Sequence, residues 1–410
     1  MAISREVRQG MERASWIRRM FEEGLKLRAE LGADAVFDFS LGNPDIEPPP
    51  AFPAALARLA ADPSPGRHGY MPNPGYPEVR ARVAAKASAE QGLAIGPECI
   101  VMTVGAAGGL NVALKSILDP GDEVVVLRPY FPEYYFYTKN HQGTFVPIDA
   151  GPGFSLSAES LRAALSPRSA CVILNSPNNP TGVIYSEAEL EAAARVLEEH
   201  GRATGRRPYI IADEPYRAIA YGGRRVPSVM AAYPETIVAS SWSKSLSLPG
   251  ERIGYLAVSP RCAAAKELVD AMSFSTRVLG FVNAPALMQR AVAELLDESA
   301  DVSSYARRGA KLASGLRAAG YEFPDPAGAF YIFARVPALP DAPRAAPEGE
   351  AEGLDIAFVM HLKRYGILAV PGVGFGCPGW FRLSYCVAER TIDRAIPLFA
   401  KAMEDWKSGR

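Results

Sequence analysis

The chain has 410 residues, 48% hydrophobic and 22% charged, with a formal net charge of -1. That length exceeds what one hydrophobic core usually serves, so two domains are expected. The charge balance leaves no basic excess to carry affinity for a nucleic-acid backbone. No apolar run reaches the roughly 18 residues a membrane-spanning helix needs. Met1 to Arg19 is polar, so no secretory signal is expected. The five cysteines (Cys99, Cys171, Cys262, Cys377, Cys386) are scattered without a CxxC pair. Neither a zinc site nor a disulfide framework follows, and a reducing cytoplasm is the simplest home.

In chain order, Cys99 to Val104 reads as a strand, followed by a glycine-bearing turn and an amphipathic run, Asn111 to Leu118. Asp122 to Leu127 is the next strand. Cys171 to Leu174, Tyr209 to Ala212, Thr236 to Ala239 and Tyr255 to Val258 are four more, and Glu187 to His200 is a helix pattern between them. Near-continuous apolar strands separated by helices predict a mostly parallel sheet covered on both faces, an α/β domain over about residues 55 to 290. Beyond it, a helical stretch at about 260–318 leads to a strand at Ala329 to Phe333. A helix near Ile356 to Tyr365, a strand near Phe381 to Tyr385 and a last helix from Arg390 follow. These predict a smaller α+β domain over 291–410, with residues 1–54 packing on it. Val336 to Gly353, rich in Pro, Ala and Glu, reads as a surface loop.

Ligands of open α/β sheets bind beyond the C-terminal ends of the strands. Reactive residues stand at such ends here. Ser240-Ser-Trp-Ser-Lys-Ser-Leu-Ser-Leu-Pro-Gly-Glu-Arg-Ile-Gly254 follows a strand and sets Lys244 among hydroxyls, with Arg252 eight residues on. An amine forms an imine with an aldehyde when desolvation and nearby positive charge lower its pKa. Ser241 and Ser243 can donate to a phosphate, and Arg252 can clamp one with its planar fork.

These residues resemble the cofactor-lysine motif of fold-type-I pyridoxal-phosphate enzymes, specifically the class I/II, aspartate aminotransferase-like family. The resemblance runs from Phe39 to Arg382 in the family's order. It implies a large domain with a seven-stranded, mostly parallel sheet, pyridoxal 5'-phosphate as cofactor, and Lys244 as the residue that carries it. Asp213, in Tyr209-Ile-Ile-Ala-Asp-Glu-Pro-Tyr216, matches the carboxylate that pairs with the pyridine nitrogen. Tyr216 and Asn179, the latter in Asn175-Ser-Pro-Asn-Asn-Pro-Thr-Gly182, match the two donors to the ring's phenolic oxygen. Asn179 also counts among the substrate contacts.

In Val104-Gly-Ala-Ala-Gly-Gly-Leu110 the amides of Ala106 and Ala107 match phosphate donors, as a helix N-terminus suits an anion. Many relatives carry a hydroxyl residue there, whereas this chain has alanines. In Arg128-Pro-Tyr-Phe-Pro132, Phe131 matches the residue stacked on the pyridine face, with Tyr130 one residue away as the alternative. Tyr70, in His68-Gly-Tyr-Met-Pro-Asn-Pro-Gly75, matches a tyrosine reaching the neighbouring subunit's cofactor phosphate, which implies a homodimer with shared active sites. Arg382, in Trp380-Phe-Arg-Leu-Ser384, matches the arginine that binds the substrate α-carboxylate. Gly42 and Asn43, in Ser40-Leu-Gly-Asn-Pro-Asp45, match the segment that covers the substrate. No metal is implied.

The implied reaction is transfer of an amino group from an L-amino acid to a 2-oxo acid. A β-lyase acting on a sulfur-linked amino acid shares the same early steps, and fold alone does not separate the two. A non-enzymatic regulator fused to a DNA-binding domain is a third reading, which the short N-terminal segment and the lack of basic charge disfavour. The amino donor stays open. Arg277, in Phe274-Ser-Thr-Arg-Val278, is the nearest basic residue to where dicarboxylate-specific relatives hold a second arginine. Val278, Leu279 and Phe281 beside it suit an apolar side chain equally.

Overall fold

The computed structural model describes residues 2–12, 16–338 and 351–409. Twelve strands occur among them. They are β1 (Phe37–Asp38), β2 (Ile100–Thr103), β3 (Glu123–Arg128), β4 (Thr144–Asp149), β5 (Ser169–Asn175), β6 (Tyr209–Asp213), β7 (Thr236–Ser241), β8 (Gly254–Val258), β9 (Tyr331–Arg335), β10 (Ile367–Leu368), β11 (Val370–Pro371) and β12 (Trp380–Ser384).

Seven of them form one sheet in the order β2-β8-β7-β6-β5-β3-β4. Every neighbouring pair is parallel except at β8, which runs antiparallel to both β2 and β7. Alternate residues of each strand enter separate cores. Val172, Leu174, Ile210 and Ala212 pack on one side, and Cys171, Ile173, Ile211 and Ile237 on the other. Burial on both faces is why these strands read as continuous apolar runs rather than as alternating ones.

Local signals set the helices that cover the sheet. The helix Glu187–Thr204 begins at a capping box: the Ser186 hydroxyl accepts from the Glu189 amide at 3.3 Å, and the Glu189 carboxylate accepts from the Ser186 amide at 2.7 Å. It ends at Gly205, whose φ of 78° provides the left-handed turn a helix stop uses.

A second, antiparallel sheet has the order β11-β12-β9, and β1 pairs in parallel with β10. The residues around β1, including Phe37 and Phe39, share a core with Phe381, Leu383 and Phe399 from the C-terminal part of the chain.

Several elements differ from the sequence reading, which places no strand at β1, β10 or β11. Strand β4 falls where none is expected. It lies at the sheet's edge and is only partly buried, and Pro147 interrupts its apolar stretch from Phe145 to Ile148. The helix expected near Ile356 begins at Ala351 and ends at Lys363, so the end of the low-complexity stretch is helical rather than loop. Residues 339–350 of that stretch lie outside the described residues.

Candidate active site

The C-terminal ends of β5, β6 and β7 and the loop after β3 open on one cavity of about 290 Å³. Lys244 reaches it from the short helix Trp242–Ser245 that follows β7. Its Nζ donates to the Gly42 carbonyl at 2.7 Å and lies 5.5 Å from the centre of the Phe330 ring and 5.8 Å from that of Tyr216. Burial pulls its pKa down to about 8, with Arg382 and Arg252 pushing the same way and the Cys386 thiol opposing. The unprotonated share of this amine near neutral pH is therefore far larger than for a free lysine, although the ammonium still predominates.

Asp213 ends β6 and is buried. The Tyr134 hydroxyl donates to its Oδ2, and its Oδ1 has no hydrogen-bond partner. Burial raises its pKa to about 7, Tyr134 opposes that rise, and the neighbouring Glu214 adds to it. Asn175, at the end of β5, holds the rim together. Its side chain donates to the Asp213 carbonyl at 2.8 Å and accepts from the Asn179 amide at 2.7 Å.

On the far side, β12 carries Arg382, which is only 1% exposed. Its Nη1 donates to Asn179 Oδ1 at 3.1 Å and its Nη2 to the Ser40 carbonyl, while Nε has no partner. The guanidinium lies 4.7 Å from the centre of the Tyr331 ring and 4.9 Å from that of Phe375. Among the described residues no carboxylate pairs with it, and burial lowers its pKa. The Tyr331 hydroxyl also bonds that of Tyr216 at 2.7 Å, and a Cβ on Gly42 would meet that same hydroxyl at 2.0 Å. Glycine at position 42 is what lets the N-terminal segment approach so closely.

Ala106 and Ala107 line the cavity at the start of the helix Gly105–Ile117. Gly105, with φ of 67°, makes the turn into that helix. A Cβ there would meet Arg252 Nη2 at 2.8 Å, so the guanidinium lies against the helix start. Ser241, Ser243 and Phe131 line the cavity as well.

Asn43 is exposed and lies outside the lining residues, and Tyr70 stands 92% exposed, also outside them. Tyr130 packs edge-on against Phe145 at 5.0 Å, leaving Phe131 as the aromatic residue of that loop in the cavity. Arg277 is exposed at the end of the helix Ala265–Val278, over the Phe274 ring. Tyr134, Tyr331 and Asn175 belong to the site without having been picked out from the sequence. Their partners stand 79, 115 and 38 residues away, beyond any local pattern. Among the described residues no helix is long and apolar enough to cross a membrane, and no cluster of His, Cys, Asp and Glu could hold a metal ion.

A lysine, a carboxylate and an arginine around a cavity at the carboxyl edge of a doubly covered sheet define an enzyme of the pyridoxal-phosphate class. Residues 34–397 match the family of class I and II aminotransferases, and the chain belongs to it. Members of this family work with pyridoxal phosphate. The chain is 32% identical to the aspartate/prephenate aminotransferase of Thermus thermophilus over 386 residues, 93% of this chain and 94% of that protein. It is 30% identical to the aspartate aminotransferase of Geobacillus stearothermophilus, with 90% and 91% covered. Among solved structures, an aminotransferase from Eubacterium rectale superposes with a TM-score of 0.92 at 35% identity, covering 99% of both chains. The Thermus thermophilus aspartate aminotransferase with maleate gives 0.84 at 31% identity, covering 98% of this chain and 100% of that one.

Proposed function

We propose that the protein is a pyridoxal-phosphate-dependent aminotransferase that moves the amino group of an L-amino acid to a 2-oxo acid, with 2-oxoglutarate the expected acceptor. One observation carries this reading. A half-buried lysine of lowered pKa shares a small cavity with a buried carboxylate oxygen that lacks a donor and a buried guanidinium that lacks a carboxylate. Each is costly to leave unmatched. A pyridine nitrogen bearing a proton satisfies Asp213 Oδ1, and an amino acid's carboxylate satisfies Arg382, so the residues fit the cofactor and a substrate together.

When bound, pyridoxal phosphate supplies an electron-accepting ring next to the substrate's α-carbon. Lys244 would hold the cofactor through its aldehyde and, as a free amine, would serve as base and then acid for the substrate's α-carbon proton. Asp213 would keep the ring nitrogen protonated. Asn179 and Tyr216 would donate to the phenolic oxygen, and Phe131 would flank the ring. The amides of Ala106 and Ala107, with Ser241, Ser243 and Arg252, would hold the phosphate, joined by Tyr70 of the partner subunit. Arg382 and Asn179 would orient the substrate carboxylate, with Gly42 and Asn43 in the segment that covers it.

The same reading makes the protein a cytoplasmic homodimer with shared active sites. It divides the chain into an N-terminal segment 1–54, a large domain 55–290 and a small domain 291–410. The names of the relatives put aspartate and prephenate first among substrates to test. Incubation with a panel of amino acids and 2-oxoglutarate should yield glutamate and the matching 2-oxo acid. Release of ammonia and pyruvate from a sulfur-linked amino acid, with no glutamate from any donor, would assign the protein to β-elimination instead.

A further inference from the structure

Asp213 is held by a residue that the reading above leaves without a task. Tyr134 lies in the first turn of the helix Glu133–Asn140, is 1% exposed, and donates its hydroxyl to Asp213 Oδ2. The bond leaves Oδ1 as the oxygen of this carboxylate that has no hydrogen-bond partner. Phe131, two residues before that helix, meets the Tyr134 ring edge-on at 5.6 Å. One short stretch thus touches both the aromatic residue and the carboxylate of the cavity.

We propose that Tyr134 is a positioning residue that biases Asp213 toward its charged form and holds it turned so that Oδ1 receives the proton-bearing ring nitrogen of pyridoxal phosphate. The inference rests on the reading of the site as a pyridoxal-phosphate site. Its physical basis is a contest inside a dry pocket. Burial favours the neutral carboxyl, and Glu214 next in the chain does the same, while the donation from Tyr134 is what favours the charge. A neutral carboxyl bonds a ring-nitrogen proton weakly, since hydrogen bonds to charged groups are about twice as strong as neutral ones. Tyr134 is well suited to a fixed donation. Its own ionisation is pushed far up by burial and by the Asp213 charge, so its hydroxyl keeps its proton wherever the enzyme works. The geometry matters as much as the charge, because Oδ2 is occupied and the carboxylate cannot rotate without losing that bond.

The test separates this role from simple packing by using two probes on the cofactor-free protein. One is pyridoxal phosphate, and the other is its deaza analogue, in which carbon replaces the ring nitrogen. Tyr134→Phe removes the donor and little volume. Its affinity for pyridoxal phosphate should fall by roughly tenfold, the loss expected for a hydrogen bond to a charged group, while affinity for the deaza analogue changes by less than about twofold. Tyr134→His restores an N–H donor and should bring the ratio of the two affinities back to within about threefold of wild type. Equal losses for both probes, or no loss for either, overturn the proposal, as does a histidine variant whose ratio matches that of phenylalanine. If Tyr134→Phe does not fold, the histidine variant still decides: a ratio kept near wild type supports the proposal and a collapsed ratio overturns it. A wild-type protein that fails to bind pyridoxal phosphate at all sinks the underlying reading, which no result on Tyr134 alone can do.

Discussion

The two walls of the cavity are built in different ways. The sheet wall carries Asn179, Asp213 and Lys244 at or just beyond the ends of β5, β6 and β7, three strands paired side by side. Its cross-braces link neighbouring strands, as when Asn175 on β5 bonds Asp213 on β6. The far wall is assembled from the ends of the chain. Arg382 bonds Ser40 across 342 residues of sequence and Asn179 across 203, and Lys244 bonds Gly42 across 202. The sheet wall is fixed by a continuous hydrogen-bonded ladder and two cores. The far wall rests on a small sheet, one guanidinium and a glycine contact. Under the proposed function, the chemistry that needs a rigid frame falls to the first wall and substrate recognition to the second.

Arg382→Ala is the sharpest way to break the far wall alone. Removing one member of a buried charged pair should cost about 2–5 kcal/mol of transition-state binding, read as kcat/KM for the best amino donor. Arg382→Lys should recover only part, because the ammonium lacks the planar fork. Cofactor absorbance should persist in both variants, since Arg382 belongs to the other wall. An unchanged kcat/KM in Arg382→Ala would show that another residue holds the carboxylate.

Asp213→Asn tests the sheet wall through pH. The folded pKa of about 7 lies above the ordinary 3.8, so the native protein holds this proton through a window where the unfolded chain has released it. Stability of the cofactor-free protein should fall as pH rises from about 4 to about 7, by up to about 4 kcal/mol from this group. The asparagine variant should lose that dependence. Denaturant titrations at pH 4 and pH 8 should show the two proteins alike at the lower pH and the variant more stable at the higher.

Gly42→Ala addresses the seam between the walls. The new Cβ would collide with the Tyr331 hydroxyl, now 2.0 Å from its position, and should push apart the Tyr331–Tyr216 pair. Overpacking of this kind costs about 1–3 kcal/mol, visible as a lower Tm, with KM for the amino acid rising more than cofactor affinity falls. A variant with wild-type Tm and KM would mean that the N-terminal segment yields freely.

The contrast also explains what could be read from the sequence. Six of the seven large-sheet strands announce themselves as apolar runs, and the reactive residues follow them at once, so Lys244, Asp213 and Asn179 are legible from short stretches. β4 escapes because Pro147 and partial exposure erase its pattern. Arg382 and Gly42 sit in stretches with no chemical signature of their own, and only their place in the family's order singles them out. Tyr134 and Tyr331 stay hidden altogether. A tyrosine among aromatic neighbours looks like core until its hydroxyl finds a partner on a distant strand.

The central claim is that Lys244 is the amine that holds the cofactor. Burial sets its pKa near 8, so covalent capture of pyridoxal phosphate by the cofactor-free protein should rise with a midpoint near pH 8 rather than near that of a free lysine, 10.5. Reduction with borohydride after capture, followed by peptide mapping, locates the bond directly. The account predicts a single modified peptide carrying the reduced cofactor on Lys244, absent from Lys244→Ala. Label on another lysine, or undiminished labelling of the alanine variant, would contradict it.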